Sequence, residues 1–225
     1  MARRAGFEIV RFADIPWEER VNVDGWPCRA GLYYNDADTG LCLRLIDYPL
    51  GSIEPRHVHA GTHATTVLRG RAIVDGVTLG PLDVVLGPGD EPHGPLHYPD
   101  GCKLLSAFLG SYHHSESQQS SAPRSYRLIQ SAQIPWQSGE AGAEAKTLIG
   151  HGCGRLHLHV LRFAAGAQLD GAGGQQTHAA LVIDGEAAIE GETLAPWDLY
   201  YARAGVARGA IDFPRGATLL SITLH

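Results

Sequence analysis

Five of the twelve histidines in this 225-residue chain fall between positions 57 and 97. Within that stretch His57 and His59 stand two residues apart, His63 follows four later, and His93 arrives after a further run of strand-forming residues. Neutral imidazole is the commonest protein ligand for transition metals. Side chains at i and i+2 of a β-strand leave the same face, so His57 and His59 can aim two ring nitrogens at one ion. His63 shares that parity, and His93 can complete a nitrogen-rich set from a neighbouring strand.

Elements that could hold such a set are short strands. Runs such as 41–46, 65–68, 83–86 and 104–108 are apolar and β-rich, and glycines separate them about every ten residues, the pattern of a sandwich or barrel. Gly 28 and Pro 13 together make about 18% of the chain against roughly 12% in ordinary domains, an excess that reads as turn chemistry. Helical periodicity is confined to a short turn around 140–146. The expected class is all-β.

Shifting the chain against itself by 115 residues aligns 51–110 with 166–225 without a gap, and 19 of the 60 positions are identical. The matches include Gly51/Gly166, Thr62-His63-Ala64 with Thr177-His178-Ala179, Gly70/Gly185, Gly76/Gly191 and Asp83/Asp198. A second echo, Ile15-Pro16-Trp17 and Ile134-Pro135-Trp136, opens each half. The chain is a tandem duplication. Expected boundaries are a first unit over 1–110, a polar, serine-rich linker over 111–128, and a second unit over 129–225.

The net charge of −6 provides no cationic footprint for a nucleic acid. No apolar run reaches the roughly 18 residues of a membrane span, and the first residues lack the apolar core of a secretory signal. The expectation is a cytoplasmic protein with a small-molecule substrate and neither a nucleic-acid nor a membrane partner. Cys28, Cys42, Cys102 and Cys153 are scattered, which reads as free thiols and neither a zinc nor a redox motif.

The histidine segment resembles the cupin family. Its first motif runs Gly, five residues, His-x-His, three or four residues, commonly Glu, six residues, Gly, and Gly51, His57, His59, His63 and Gly70 fit that spacing with histidine in place of the glutamate. Asp83, Pro88 and His93 match the second motif, with Leu82 replacing its first glycine and Gly89 one place early. The resemblance implies two tandem jelly-roll-like β-barrels, a bicupin, with a metal in the first held by His57, His59, His63 and His93. The aligned positions of the second half are Ala172, Gly174, His178 and Arg208, so that half is expected to be degenerate, a scaffold with one metal per chain in all. His151, His157 and His159 lie off the motif.

Among cupins, iron enzymes that cleave β-diketones use a histidine-only set. The resemblance therefore implies a non-haem Fe(II) dioxygenase acting on a small enolisable carbonyl or dicarbonyl compound, with Zn, Ni or Mn as alternative ions. Those enzymes carry a glutamate six residues before the last ligand, where this chain has Gly87; Glu54 and Glu91 are the nearby carboxylates, and no catalytic residue is assigned. Two other readings are a non-redox metal cupin (isomerase, cyclase or hydrolase) and a sensor cupin similar to the cupin half of anti-sigma factors. Exposed edge strands would allow a homodimer. With free imidazoles as ligands, metal occupancy should fall as pH drops through roughly 6.5.

Overall fold

The structure is a computed structural model. It describes residues 7–21, 26–112, 114–116 (backbone only), 125–171, 174–206 and 209–225. His113, Ala172, Arg208 and linker residues 117–124 lie outside the described residues.

The chain divides into two compact units, Ile15–Ala132 and Met1–Asp14 with Gln133–His225. In the first, a seven-stranded sheet runs in the order Arg127–Ile129, Val84–Gly87, Thr62–Gly70, Cys102–Leu109, Leu41–Tyr48, Pro27–Asp36, Trp17–Val21. A four-stranded sheet has the order Ser52–Glu54, Leu96–Tyr98, Ala72–Val74, Val77–Leu79. Val67, Val85 and Leu104 of the large sheet and Val74, Leu79, Leu96 and Tyr98 of the small one share one buried cluster, so the core lies between the two. The pairings given for both sheets are antiparallel.

The second unit repeats this plan. Its large sheet has the order Glu8–Val10, Leu199–Ala202, Thr177–Gly185, Ala217–Leu224, Leu156–Phe163, Glu144–Ile149, Gln137–Ser138, and its small sheet Ala167–Leu169, Ile211–Phe213, Ala187–Ile189, Glu192–Leu194. Of the expected turn at 140–146, only Glu140–Gly142 is helical, as a single 3-10 turn, and the rest enters a strand. No helix among the described residues is long and apolar enough to cross a membrane.

The division falls differently from the boundaries read off the sequence. Phe7 and Glu8–Val10, at the head of the chain, belong to the second unit, where Phe7 is buried with Leu169 and Leu194 and the strand pairs with Leu199–Ala202. Arg127–Ile129, at the end of the expected linker, is the edge strand of the first. Asp83 and Asp198 anchor these edges. Asp83 accepts hydrogen bonds from the Ser131 backbone N–H (2.7 Å) and hydroxyl, and Asp198 from the Phe12 N–H (2.9 Å) and Arg11. Three-residue strands are too short to show a period, so nothing local reveals their partners.

The repeat is also visible in the turns. Asp75-Gly76 and Glu190-Gly191 join equivalent hairpins with positive φ at both residues, the two-residue turn whose twist suits antiparallel strands. Gly70 (φ +84°) and Gly185 (φ +80°) are tighter still: an added Cβ would meet the carbonyl oxygens of Gly101 and Gly216 at 2.1 and 2.2 Å. Gly70→Ala and Gly185→Ala are each expected to destabilise their unit by about 2–4 kcal/mol, combining left-handed backbone strain with overpacking. Gly76→Ala, with open space around it, should cost only about 1 kcal/mol. Chemical denaturation of the three variants checks the order.

Candidate metal centre

His57–His59 is a three-residue strand whose outer residues are buried and whose central Val58 is less so, as period-two geometry requires. It pairs on one side with His114–Glu116, so part of the expected linker is a strand over this segment. On the other side His57 and His93 exchange backbone hydrogen bonds, N–H to carbonyl, at 3.0 Å in both directions. His63 lies on Thr62–Gly70 in register with Gly87 and Phe108.

Four imidazoles meet there. Ring centroids lie 4.2 Å apart for His57 and His93, 4.7 Å for His57 and His59, 4.7 Å for His59 and His63, and 4.5 Å for His63 and His93. One ligand nitrogen from each of His57, His59 and His93 falls in a group whose members are all within 4.8 Å of one another; His63 stands beside that group. His57 Nδ1–H donates to the Pro55 carbonyl at 2.8 Å, and His93 Nδ1–H to that of Glu91 at 3.2 Å. These bonds fix the tautomer and leave each Nε2 lone pair for the centre. His57 Nε2 and His59 Nε2 lie 3.1 Å apart, close to the separation of two nitrogens at about 2.0–2.1 Å from one ion. Neither ring nitrogen of buried His63 has a side-chain hydrogen-bond partner. The donor set fits a divalent transition metal.

Burial depresses the basicity of His93 and His63. His93 is pushed down to about 4 by burial and then by His57. His63 falls well below its usual range for the same reason, with His93 and His57 adding to the effect. Both are neutral, and so able to ligate, at physiological pH.

Glu54 lies 3.6 Å from His57 Nε2. Burial opposes its charge, yet His57, the Tyr98 and Tyr48 hydroxyls and His93 together hold the carboxyl below its usual range. The Tyr98 hydroxyl donates to it at 2.7 Å. Glu91 is turned away, accepting from the Ser125 and Tyr126 backbone. His97 is exposed on Leu96–Tyr98.

A cavity of about 180 Å³ opens over the histidines, with Glu54, Phe108, Tyr112 and Arg44 in its wall. Arg44 is missing from the set of candidates read off the sequence. It is 8% exposed, its Nε has no hydrogen-bond partner, and its guanidinium lies 4.3 Å over the Tyr112 ring. The available signal was a lone charge inside the apolar run 41–46.

Gly87 has a use of its own. A Cβ there would lie 2.2 Å from His63 Cε1, so the histidine ring fills the space that a side chain at position 87 would take. Gly87→Ala is expected to swing His63 out and to cost about 1–3 kcal/mol by overpacking. Thermal unfolding together with metal content checks both parts. In the second unit His178, the repeat partner of His63, is hydrogen-bonded instead, to the Ser221 hydroxyl at 2.8 Å and the Tyr200 hydroxyl at 2.9 Å.

No protein-family model matches the chain, and no curated protein does. Solved structures do. A protein of Nostoc punctiforme provisionally described as a dioxygenase superposes with a TM-score of 0.85 at 12% identity, covering 97% of this chain and 82% of the other. AerE of Microcystis aeruginosa gives 0.67 at 13%, covering 94% and 98%. A deletion variant of Bacillus subtilis oxalate decarboxylase OxdC gives 0.71 at 13%, covering 99% and 78%, and a further structure of that enzyme is described by its Mn(II) centres. At such identities the likeness speaks for architecture alone, and with the sheets and histidine-bearing strands above it shows that this chain has the cupin fold.

Proposed function

We propose that the chain is a bicupin enzyme, a non-haem Fe(II) dioxygenase acting on a small enolisable carbonyl or dicarbonyl compound. The metal is held in the first unit by His57, His59 and His93, with His63 completing the set. The second unit has lost the motif ligands. The observation that carries this reading is the convergence of three buried imidazole nitrogens beneath a cavity with a buried arginine in its wall. When bound, a divalent ion supplies Lewis acidity toward carbonyl and enolate oxygens and, as ferrous iron, redox access to dioxygen.

The chain's own residues do the rest. Arg44 holds the negative charge of an enolate, because a buried guanidinium bonds an anionic oxygen more strongly than a neutral one. Glu54, kept ionised by its neighbours, is the carboxylate that accepts the substrate's acidic C–H proton in place of the glutamate that Gly87 lacks. Val85, Leu104 and Phe108 line the cavity and keep water from the reacting carbons.

The test is elemental analysis of the purified protein, followed by oxygen uptake with a panel of β-diketones, phenols and thiols. Iron together with diketone-dependent uptake is expected. Full turnover of the zinc form without oxygen would overturn the redox reading. Arg44→Met is expected to raise KM for the enolisable substrate about 10–100-fold, the cost of one charged hydrogen bond, with metal content unchanged.

A further inference from the structure

The second unit contains a histidine cluster that the repeat does not explain. His151, His157 and His225 correspond to Asp36, Cys42 and Gly110 in the first unit, so none of them stands at a motif position or at a repeated one. Their ring centroids nevertheless lie 4.7 Å apart for His151 and His157, 5.1 Å for His151 and His225, and 3.9 Å for His157 and His225. One ligand nitrogen from each falls in a group whose members are all within 4.8 Å.

Three separate features of the backbone bring them together. His157 is 2% exposed, on Leu156–Phe163, beside its partner strand Ala217–Leu224. His225 follows that partner strand, and its N–H and carbonyl are both held by Arg155, each at 3.0 Å. The 150–154 turn, with glycines at 152 and 154 at positive φ, folds His151 back over the strand ends. The Gln176 side-chain amide contacts Nδ1 of His225. A cavity of about 450 Å³ borders all three rings, with His159, His178 and Arg203 also in its wall.

Packing alone gives no reason to gather three basic rings of one kind, two of them exposed, around a single point. Three imidazoles with a cavity on the fourth side are the donor set of an open zinc site, and imidazole serves nickel and copper as well. We propose that the second unit holds a divalent metal of this class through His151, His157 and His225, with an open position facing the cavity. The chain then carries two metals where the motif positions provide for one.

Titration of the metal-free full-length chain with Zn(II) at neutral pH tests this. Two equivalents are expected, both tighter than about 1 μM. His151→Ala with His225→Ala should lose one equivalent and keep the other, while His57→Ala should lose the other and keep the cluster's. Both substituted residues of the double variant are exposed, and far-UV circular dichroism verifies its fold. A single tight equivalent in the parent protein overturns the proposal, as does a second equivalent that survives the double variant. Because the two sites are removed by different substitutions, failure here leaves the reading of the first centre standing, and failure of that centre leaves this one.

Discussion

His57→Ala and His59→Ala are expected to strip the first unit of its metal while the chain still folds. Supporting hydrogen bonds to metal ligands are worth about 10–100-fold in affinity, and removing a ligand outright should exceed that. The two Nε2 atoms are 3.1 Å apart, so each variant loses one arm of a preformed pair and no distant support. The fold should tolerate the change, because the repeat places Gly174 opposite His59 in a unit with the same sheet order. Added metal at a hundred times its Kd stabilises a folded protein by about 2.7 kcal/mol. That increment should appear in the first unit of the parent protein and vanish from that unit in both variants when its unfolding is followed with and without the ion, while stabilisation of the second unit through its own cluster is retained. Full metal content in either variant would remove His57 or His59 from the ligand set.

Acid should act on the metal-free protein well above the range in which carboxylates titrate. Above pH 6.5 His93 is neutral whether the chain is folded or not, and it contributes no pH dependence. Below that the unfolded chain takes up a proton, while the folded one resists until about pH 4. Native stability is therefore fully present above 6.5 and declines as pH falls toward 4, by about 3 kcal/mol from this one residue. His63, depressed in the same direction by burial and by His93 and His57, adds to the loss. Urea midpoints from pH 7.5 to 4.5 check the slope, and a flat profile would contradict it. The same depression bears on the metal. Protons compete less well for His93 and His63, so those two ligands should stay available to a metal below the pH of roughly 6.5 at which free imidazoles protonate.

Much of this protein was legible as sequence because the relevant signals are local. The 115-residue repeat and its paired glycines at 70 and 185 and at 76 and 191 were visible as matched residues. The inward aim of His57 and His59 follows from the two-residue period of a strand. That position 87 is a glycine was visible too, but its surroundings were not: His63 fills the space beside it from the neighbouring strand, a fact of cross-strand register.

Tertiary structure decided whatever depends on partners distant in sequence. It put Glu8–Val10 on the second unit and Arg127–Ile129 on the first, because an edge strand goes where its hydrogen bonds and apolar side chains are satisfied. It selected Glu54 over Glu91 as the carboxylate near the histidines and left Arg44 facing the cavity. It also gathered His151, His157 and His225 from a turn, a strand and the residue after another strand. Periodicity fixes the face on which a side chain emerges, whereas the pairing of strands far apart in sequence fixes what that face meets.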